Sequence, residues 1–266
     1  MPPKILDTHI HLWPSTALTP KNHAWMTDPP HILTKRHGIS DYLRVAPDVD
    51  GFVYVETDRY LPSALPDINI DGDEVDEEAL RVWCKEPLEE IKFLRRVVEG
   101  EADEEIDGVG TGQEERMKGV VLFAPFHLLP RHFLTYMRIA RETAGSALWR
   151  KVVGFRYLLQ GKGEGEVERL ALSEDWISNL LSLSKSAEHS GKSGGWVFEV
   201  GADVHRDGTA GLEAIVKMVR EVRKRESDQA PVRFVLSTLF PLLFFLARYH
   251  WCFLLSHQQT TSANRP

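Results

Sequence analysis

Short apolar, β-branched runs alternate with longer helix-patterned stretches six times along the chain, and this alternation restricts the fold more than any other feature. The runs are Lys4 to His11, Gly51 to Glu56, Lys118 to Ala124, Lys151 to Tyr157, Gly195 to Val200 and Val232 to Leu236. Several are nearly continuous apolar segments, as strands covered on both faces of a parallel sheet must be. Between them, Glu77 to Glu99, Pro130 to Ala144, Ser173 to about His189 and Gly211 to Lys224 carry apolar residues at helical spacing. Pro87 interrupts the first of these, so a break or a new first turn is expected there. Ser173 is placed to cap its helix, with Glu174 and Asp175 in the first turn. Strand followed by helix, repeated, gives parallel strands with crossover helices: an α/β fold, either an open doubly wound sheet or a closed barrel.

The turn after the first strand separates the two. His11-Leu12-Trp13-Pro14 stands where a dinucleotide fold needs a glycine-rich phosphate loop. Two long excursions, Ser15 to Ser40 and Gly100 to Gln113, exceed ordinary connections and point to functional or mobile loops.

Composition narrows the functional classes. The 266 residues carry a formal net charge of -7, which argues against a nucleic-acid partner. Sixteen of the 39 acidic residues lie between Asp67 and Asp107, the pattern of a solvated loop and outer helix face. Two cysteines, Cys84 and Cys252, are too few for a disulfide framework. With no hydrophobic leader at the N-terminus, a cytoplasmic location is the expectation.

His9 and His11 carry the strongest chemical signal. Residues i and i+2 of a strand share a face, so two imidazoles emerge side by side near the C-terminal end of the first strand. In a parallel barrel that end holds the active site, and neutral imidazole is the commonest ligand of zinc-like ions. Two histidines fall short of a catalytic zinc site, which has three protein ligands and water. Two unrelated strand-end histidines bonded to water or backbone are the competing reading.

Asp7-Thr8-His9-Ile10-His11-Leu12-Trp13 resembles the opening motif of the amidohydrolase superfamily. More narrowly, the chain resembles the amidohydrolase-related branch of sugar-acid lactonases such as L-rhamnono-γ-lactonase. Phe52 to Asp58, Glu86 to Leu94, Gly154 to Gln160 and Val232 to Leu236 extend the resemblance. It implies a (β/α)8 TIM-barrel type fold and hydrolysis of a small lactone or related ester. By this resemblance His9 and His11 would be ligands of a divalent metal, zinc by ligand type, that polarises the carbonyl or activates water. Arg156, at the end of the fourth strand, would clamp a substrate carboxylate or hydroxyl, or else form an ion pair across the mouth. Glu56 and His205 would contact substrate from the ends of the second and fifth strands. The expected partner is a small-molecule substrate.

The resemblance stops at Leu236. An Asp-His pair is expected next, then two further units, the last carrying an aspartate base; Ser237-Thr238 stand in place of the pair. About six of eight units are present, so residues 1–236 read as a partial barrel and 237–266 as an apolar, then polar, tail. Three readings stand for that tail. It is not native coding sequence, or it is a membrane segment, or it is a helix packing on the open barrel edge or a second chain. Arg248 weakens the membrane reading, since it costs about 2.5–3.5 kcal/mol near the centre of a span. An incomplete barrel would expose strand edges and self-associate through them. An inactive, truncated barrel serving as an interaction protein, or unstable as a fragment, is therefore the alternative to the enzyme.

Overall fold

The computed structural model describes residues 4–27, 30–67, 75–163, 165–189, 196–226 and 231–237. Six strands form one sheet: β1 (Ile5–Ile10), β2 (Val49–Val55), β3 (Met117–Phe123), β4 (Val152–Arg156), β5 (Val197–Val200) and β6 (Arg233–Leu236). Every neighbouring pair is parallel and the spatial order follows the chain order. Sequential order excludes the doubly wound alternative, whose strand order reverses at a switch point.

The sheet is curled. In a flat sheet β1 and β5 would stand about 19 Å apart, four spacings of ~4.8 Å. Yet His9 Nδ1 on β1 lies 2.8 Å from Glu199 Oε1 on β5. Two side chains of this size span only half the flat distance, so the six strands form part of a barrel wall.

Helices α1 (Ile39–Val45), α2 (Glu77–Trp83), α3 (Lys85–Glu99), α4 (Pro130–Lys151), α5 (Glu166–Ala171), α6 (Glu174–His189) and α7 (Val204–Arg225) connect the strands. Asp76 caps α2 by accepting from Ala79 N at 2.9 Å. The chain breaks at Cys84, and Pro87 sits in the first turn of α3, where its missing N–H costs nothing. The Ser173 hydroxyl accepts from Trp176 N at 3.3 Å, as its cap position implies. Gly145 in α4 is non-helical, with φ +65, so the helical pattern ending at Ala144 marks a real kink.

Alternation along each strand divides core from mouth. Phe155 and Phe198 face the helices: Phe198 stacks edge-on to Phe126 at 4.9 Å, and Trp176 of α6 lies against both Phe126 and Phe198. Their successors Arg156 and Glu199, paired in register, face the concave side. The two long excursions are tied to each other. Ser15 N donates to Ile106 O and Ser40 N to Gly108 O. A Cβ on Gly38 would sit 2.3 Å from Gly108 O, so only glycine permits that approach.

The outer strands differ from the central ones. β3 is buried at every position but Lys118, whereas Ile5 and Leu6 on β1 and Val235 and Leu236 on β6 are exposed. No helix among the described residues is long and apolar enough to cross a membrane. The apolar run from Leu239 to Leu255 lies outside the described residues, as does the tail from Thr238 onward.

Candidate active site at the strand ends

The C-terminal ends of β1, β2, β4 and β5 bring His9, His11, Glu56, Arg156 and Glu199 together. His9 Nε2 and His11 Nε2 face each other at 3.0 Å. His11 Nδ1 lies 2.9 Å from Val55 O. A carbonyl only accepts, so His11 Nδ1 carries the proton. His9 Nδ1 is 2.8 Å from the Glu199 carboxylate. Burial pushes the Glu199 carboxyl up, but the His9 hydrogen bond and the Arg156 charge outweigh it, and the carboxyl ends below its ordinary range. It is therefore ionised at neutral pH, and His9 Nδ1 donates to it. Both Nε2 atoms are then acceptors, and two lone pairs cannot face each other at 3.0 Å unless positive charge lies between them. A shared proton or a metal ion supplies that charge.

The other half of the site is an ion-pair cluster. Arg156 Nε donates to Glu56 Oε1 at 2.5 Å, its Nη2 donates to Glu56 O, and Nε lies 3.4 Å from Glu199 Oε2. No hydrogen bond from Arg156 Nη1 falls among the described residues. Both Arg156 and Glu56 are buried. Burial drives the Glu56 carboxyl up to about 7 despite the Arg156 charge, with Glu90 and Asp58 adding to the rise. Glu56 Oε2 accepts from Asp58 N at 2.7 Å. Thus the ion pair across the mouth, one of two roles expected for Arg156, is present, and Glu56 is its partner.

His205 falls in the first turn of α7, just past β5; its side chain lies outside the described residues. The first excursion carries three histidines, His23, His31 and His37. His23 and His37 are buried, and His31 alone of the three is exposed. Burial lowers His23 to about 3 and His37 to about 4. They belong to an aromatic cluster in which Trp13 stacks on His37 at 4.6 Å and on Trp25 at 5.4 Å.

Glu199 lies outside the residues singled out in the sequence, although a lone acid in Val197-Phe198-Glu199-Val200 breaks an otherwise apolar strand and signals an interior partner. Glu90 is a second buried acid that the sequence pattern does not mark. It occupies the buried face of α3 with Pro87, Leu88, Ile91 and Leu94, and its Oε1 accepts from Tyr54 Oη, Thr57 N and Thr57 Oγ1. Arg59 Nε lies 3.5 Å from the same oxygen. This network fixes the segment after β2 from behind.

Among the described residues no group of three or more His, Cys, Asp or Glu side chains converges as a metal cage. The donor pair His9–His11 nevertheless fits a metal edge. Two nitrogens on one tetrahedral zinc stand roughly 3.3 Å apart at Zn–N of ~2.05 Å. Each ring also holds its Nδ1 on a carboxylate or carbonyl, the arrangement that orients metal-ligating histidines.

No family model matches the chain, and no curated protein matches it. Among solved structures it is similar to amidohydrolase 2 from Bifidobacterium longum subsp. infantis, with 15% identity over 94% of this chain and 91% of that chain and a TM-score of 0.39.

Proposed function

We propose that the chain is built as a hydrolase of a small lactone or related ester, of the L-rhamnono-γ-lactonase-like kind. The observation that carries this reading is the opposed pair of histidine Nε2 atoms at the strand ends, each ring anchored through its Nδ1. His9 and His11 would hold a divalent metal, zinc by ligand type. Such an ion supplies a Lewis acid for the carbonyl and lowers the pKa of water. Glu199 keeps His9 in the Nδ1–H form, and Val55 O does the same for His11. Arg156, fixed by Glu56 and Glu199, presents Nη1 to a substrate oxygen. His205 stands with these as a substrate contact after β5. The donor set favours a small, polar, uncharged or anionic substrate and gives no surface for nucleic acid. A cytoplasmic site of action fits the cysteine usage.

Metal analysis of the purified chain and a panel of sugar-acid lactones test this. The expected result is about one equivalent of bound metal, lost in a His9→Ala/His11→Ala variant together with lactone hydrolysis. A folded chain that neither binds zinc nor opens any lactone overturns the reading.

The exposed Ile5, Leu6, Val235 and Leu236 on the two outer strands favour a second reading. In it the barrel is incomplete and inactive, and these strands serve self-association. A folded, metal-free chain that elutes as an oligomer would select it.

A further inference from the structure

We propose that the cavity between the first excursion and α3 is a second ligand site, which takes a small hydroxy carboxylate apart from the strand-end histidines. The cavity measures about 280 Å³, at the small end of ordinary ligand pockets. Pro14 to Asn22 supply one wall, and α3 from Lys85 to Arg96 supplies the other. None of His9, His11, Glu56, Arg156 or Glu199 lines it. The site therefore stands whether or not the strand ends are hydrolytic.

Arg59 points to a ligand. Its side chain is only 2% exposed, yet it lines the cavity. Its Nε is buried without a hydrogen bond, and no described residue accepts one from the rest of the guanidinium. Glu90 Oε1 lies 3.5 Å from that Nε but already accepts from Tyr54 Oη, Thr57 N and Thr57 Oγ1. Glu90 Oε2 is buried and unbonded as well, so the pair balances charge and leaves the donors of Arg59 unused. Buried polar groups are ordinarily bonded, and a buried guanidinium bordering a cavity calls for an acceptor inside it.

The rest of the lining sets the charge of that acceptor. Arg96 pairs with Asp107 at 2.7 Å, Glu89 pairs with Lys92 at 2.7 Å, and Glu86 Oε2 accepts from Asn22 Nδ2 at 2.9 Å. Lys85, in the first turn of α3, makes no ion pair among the described residues. The groups left over are two cations, Arg59 and Lys85, and they select an anion. A carboxylate matches the planar guanidinium fork with two parallel bonds. Glu86 and Glu89 in the same lining repel the second charge of a phosphate dianion. Thr16 and Glu86 can bond hydroxyl groups, and Phe93 gives the carbon chain an apolar surface.

The walls are held in place before a ligand arrives. Asn22 O accepts from Tyr60 N at 2.9 Å, His23 Nε2 lies 3.0 Å from Thr57 Oγ1, and Trp25 Nε1 donates to Thr57 O at 3.0 Å. These contacts fix the excursion on the segment that carries Arg59, so binding requires little further ordering.

Isothermal titration of the full chain with gluconate, glucitol and inorganic phosphate at constant ionic strength tests the site. Gluconate is expected to bind one-to-one and more tightly than phosphate, and glucitol, which lacks the carboxylate, not at all. Arg59→Lys keeps a counter-charge for buried Glu90 but loses the fork, and should weaken gluconate binding about 10–100-fold. Lys85→Ala changes an exposed residue and should weaken it roughly tenfold; if Arg59→Lys fails to fold, this variant decides alone. The His9→Ala/His11→Ala variant should bind gluconate as wild type does. No gluconate binding by the folded wild-type chain overturns the proposal, and so does undiminished binding in Lys85→Ala and any folded Arg59→Lys. Binding lost in the histidine variant but kept in Arg59→Lys moves the carboxylate to the strand ends and overturns it as well. Phosphate binding more tightly than gluconate overturns the carboxylate class.

Discussion

The two halves of the strand-end site are built on opposite principles. Around β2 and β4 the side chains are buried and charge-paired: Arg156 pairs with Glu56, and Glu90 gathers Tyr54, Thr57 and Arg59 behind them. Around β1 the side chains are half-buried, and the histidine pair is held from outside by Val55 and Glu199 with its Nε2 atoms left facing. The first half carries its own counter-charges, Arg156 with Glu56 and Arg59 with Glu90. The second places two ring nitrogens close together at a half-buried position.

The largest effect should come from breaking the charge-paired half. Arg156→Met leaves the Glu56 carboxyl buried with no counter-charge, and losing one partner of a buried pair costs about 3–5 kcal/mol. Urea unfolding of the variant should show this as a lower midpoint at unchanged slope. The equivalent change in the open half, His9→Ala, removes a half-buried ring and should cost far less stability while abolishing metal binding. A variant pair with equal losses would mean that the two halves are not built differently.

Next in size is the core behind the wall. Phe198→Ala deletes a fully buried ring packed on Phe126 and Trp176 and should cost about 3–5 kcal/mol. The same measurement on Val235→Ala, on the outer strand β6, should show less than about 1 kcal/mol, because that side chain is about half exposed (47%).

The difference between the halves also separates what the sequence reveals from what it hides. All six strands are legible as apolar runs: in the central strands burial on two faces leaves that pattern, and β1 and β6 carry it although they are largely exposed. The helices from Glu77 to Glu99 and from Pro130 onward are legible by their period. The seven-residue α1 and six-residue α5 are not, since so short a helix has less than two turns of pattern to read, and α5 is preceded by Gly163 and Gly165. In the site, the i, i+2 spacing of His9 and His11 foretells their shared position. The pairing of Glu56 with Arg156 spans 100 residues of sequence and depends on sheet curvature, which no local pattern encodes.

pH sharpens the comparison, with opposite signs in two regions. In the first excursion, folded His23 stays neutral down to about 3, while the unfolded ring takes a proton below 6.5. The unfolded state therefore binds more protons in that window, and stability falls as pH drops from 6.5 towards 3, by up to about 1.4 kcal/mol per unit. Folded Glu56 keeps its proton up to about 7, while the unfolded carboxyl loses it near 4.5. Here the folded state binds more protons, so stability falls as pH rises from 4.5 to 7. Relative to wild type, His23→Asn should gain stability as pH is lowered from 6.5. Glu56→Gln should gain as pH is raised from 4.5. Thermal melts across pH 4.5–7 check both, and slopes of the same sign would contradict the burial of one of the two groups.

The smallest expected change in stability concerns the outer strands, and there the informative readout is association rather than unfolding. Leu6 and Val235 are exposed on strands that pair on one side among the described residues, Leu6 with β2 and Val235 with β5. Replacing each by glutamate removes little buried area, so unfolding should move within about 0.5 kcal/mol. If the outer strands meet a second copy of the chain, a charge on each edge places like charges across that contact, and self-association should weaken. Sedimentation of the Leu6→Glu/Val235→Glu variant beside wild type measures this directly. A shift to monomer with metal binding retained would show that edge and site act separately. Loss of metal binding together with the oligomer would mean that the open half of the site is shaped by the contact, and that the half-buried histidine pair is completed only when the outer strands are covered.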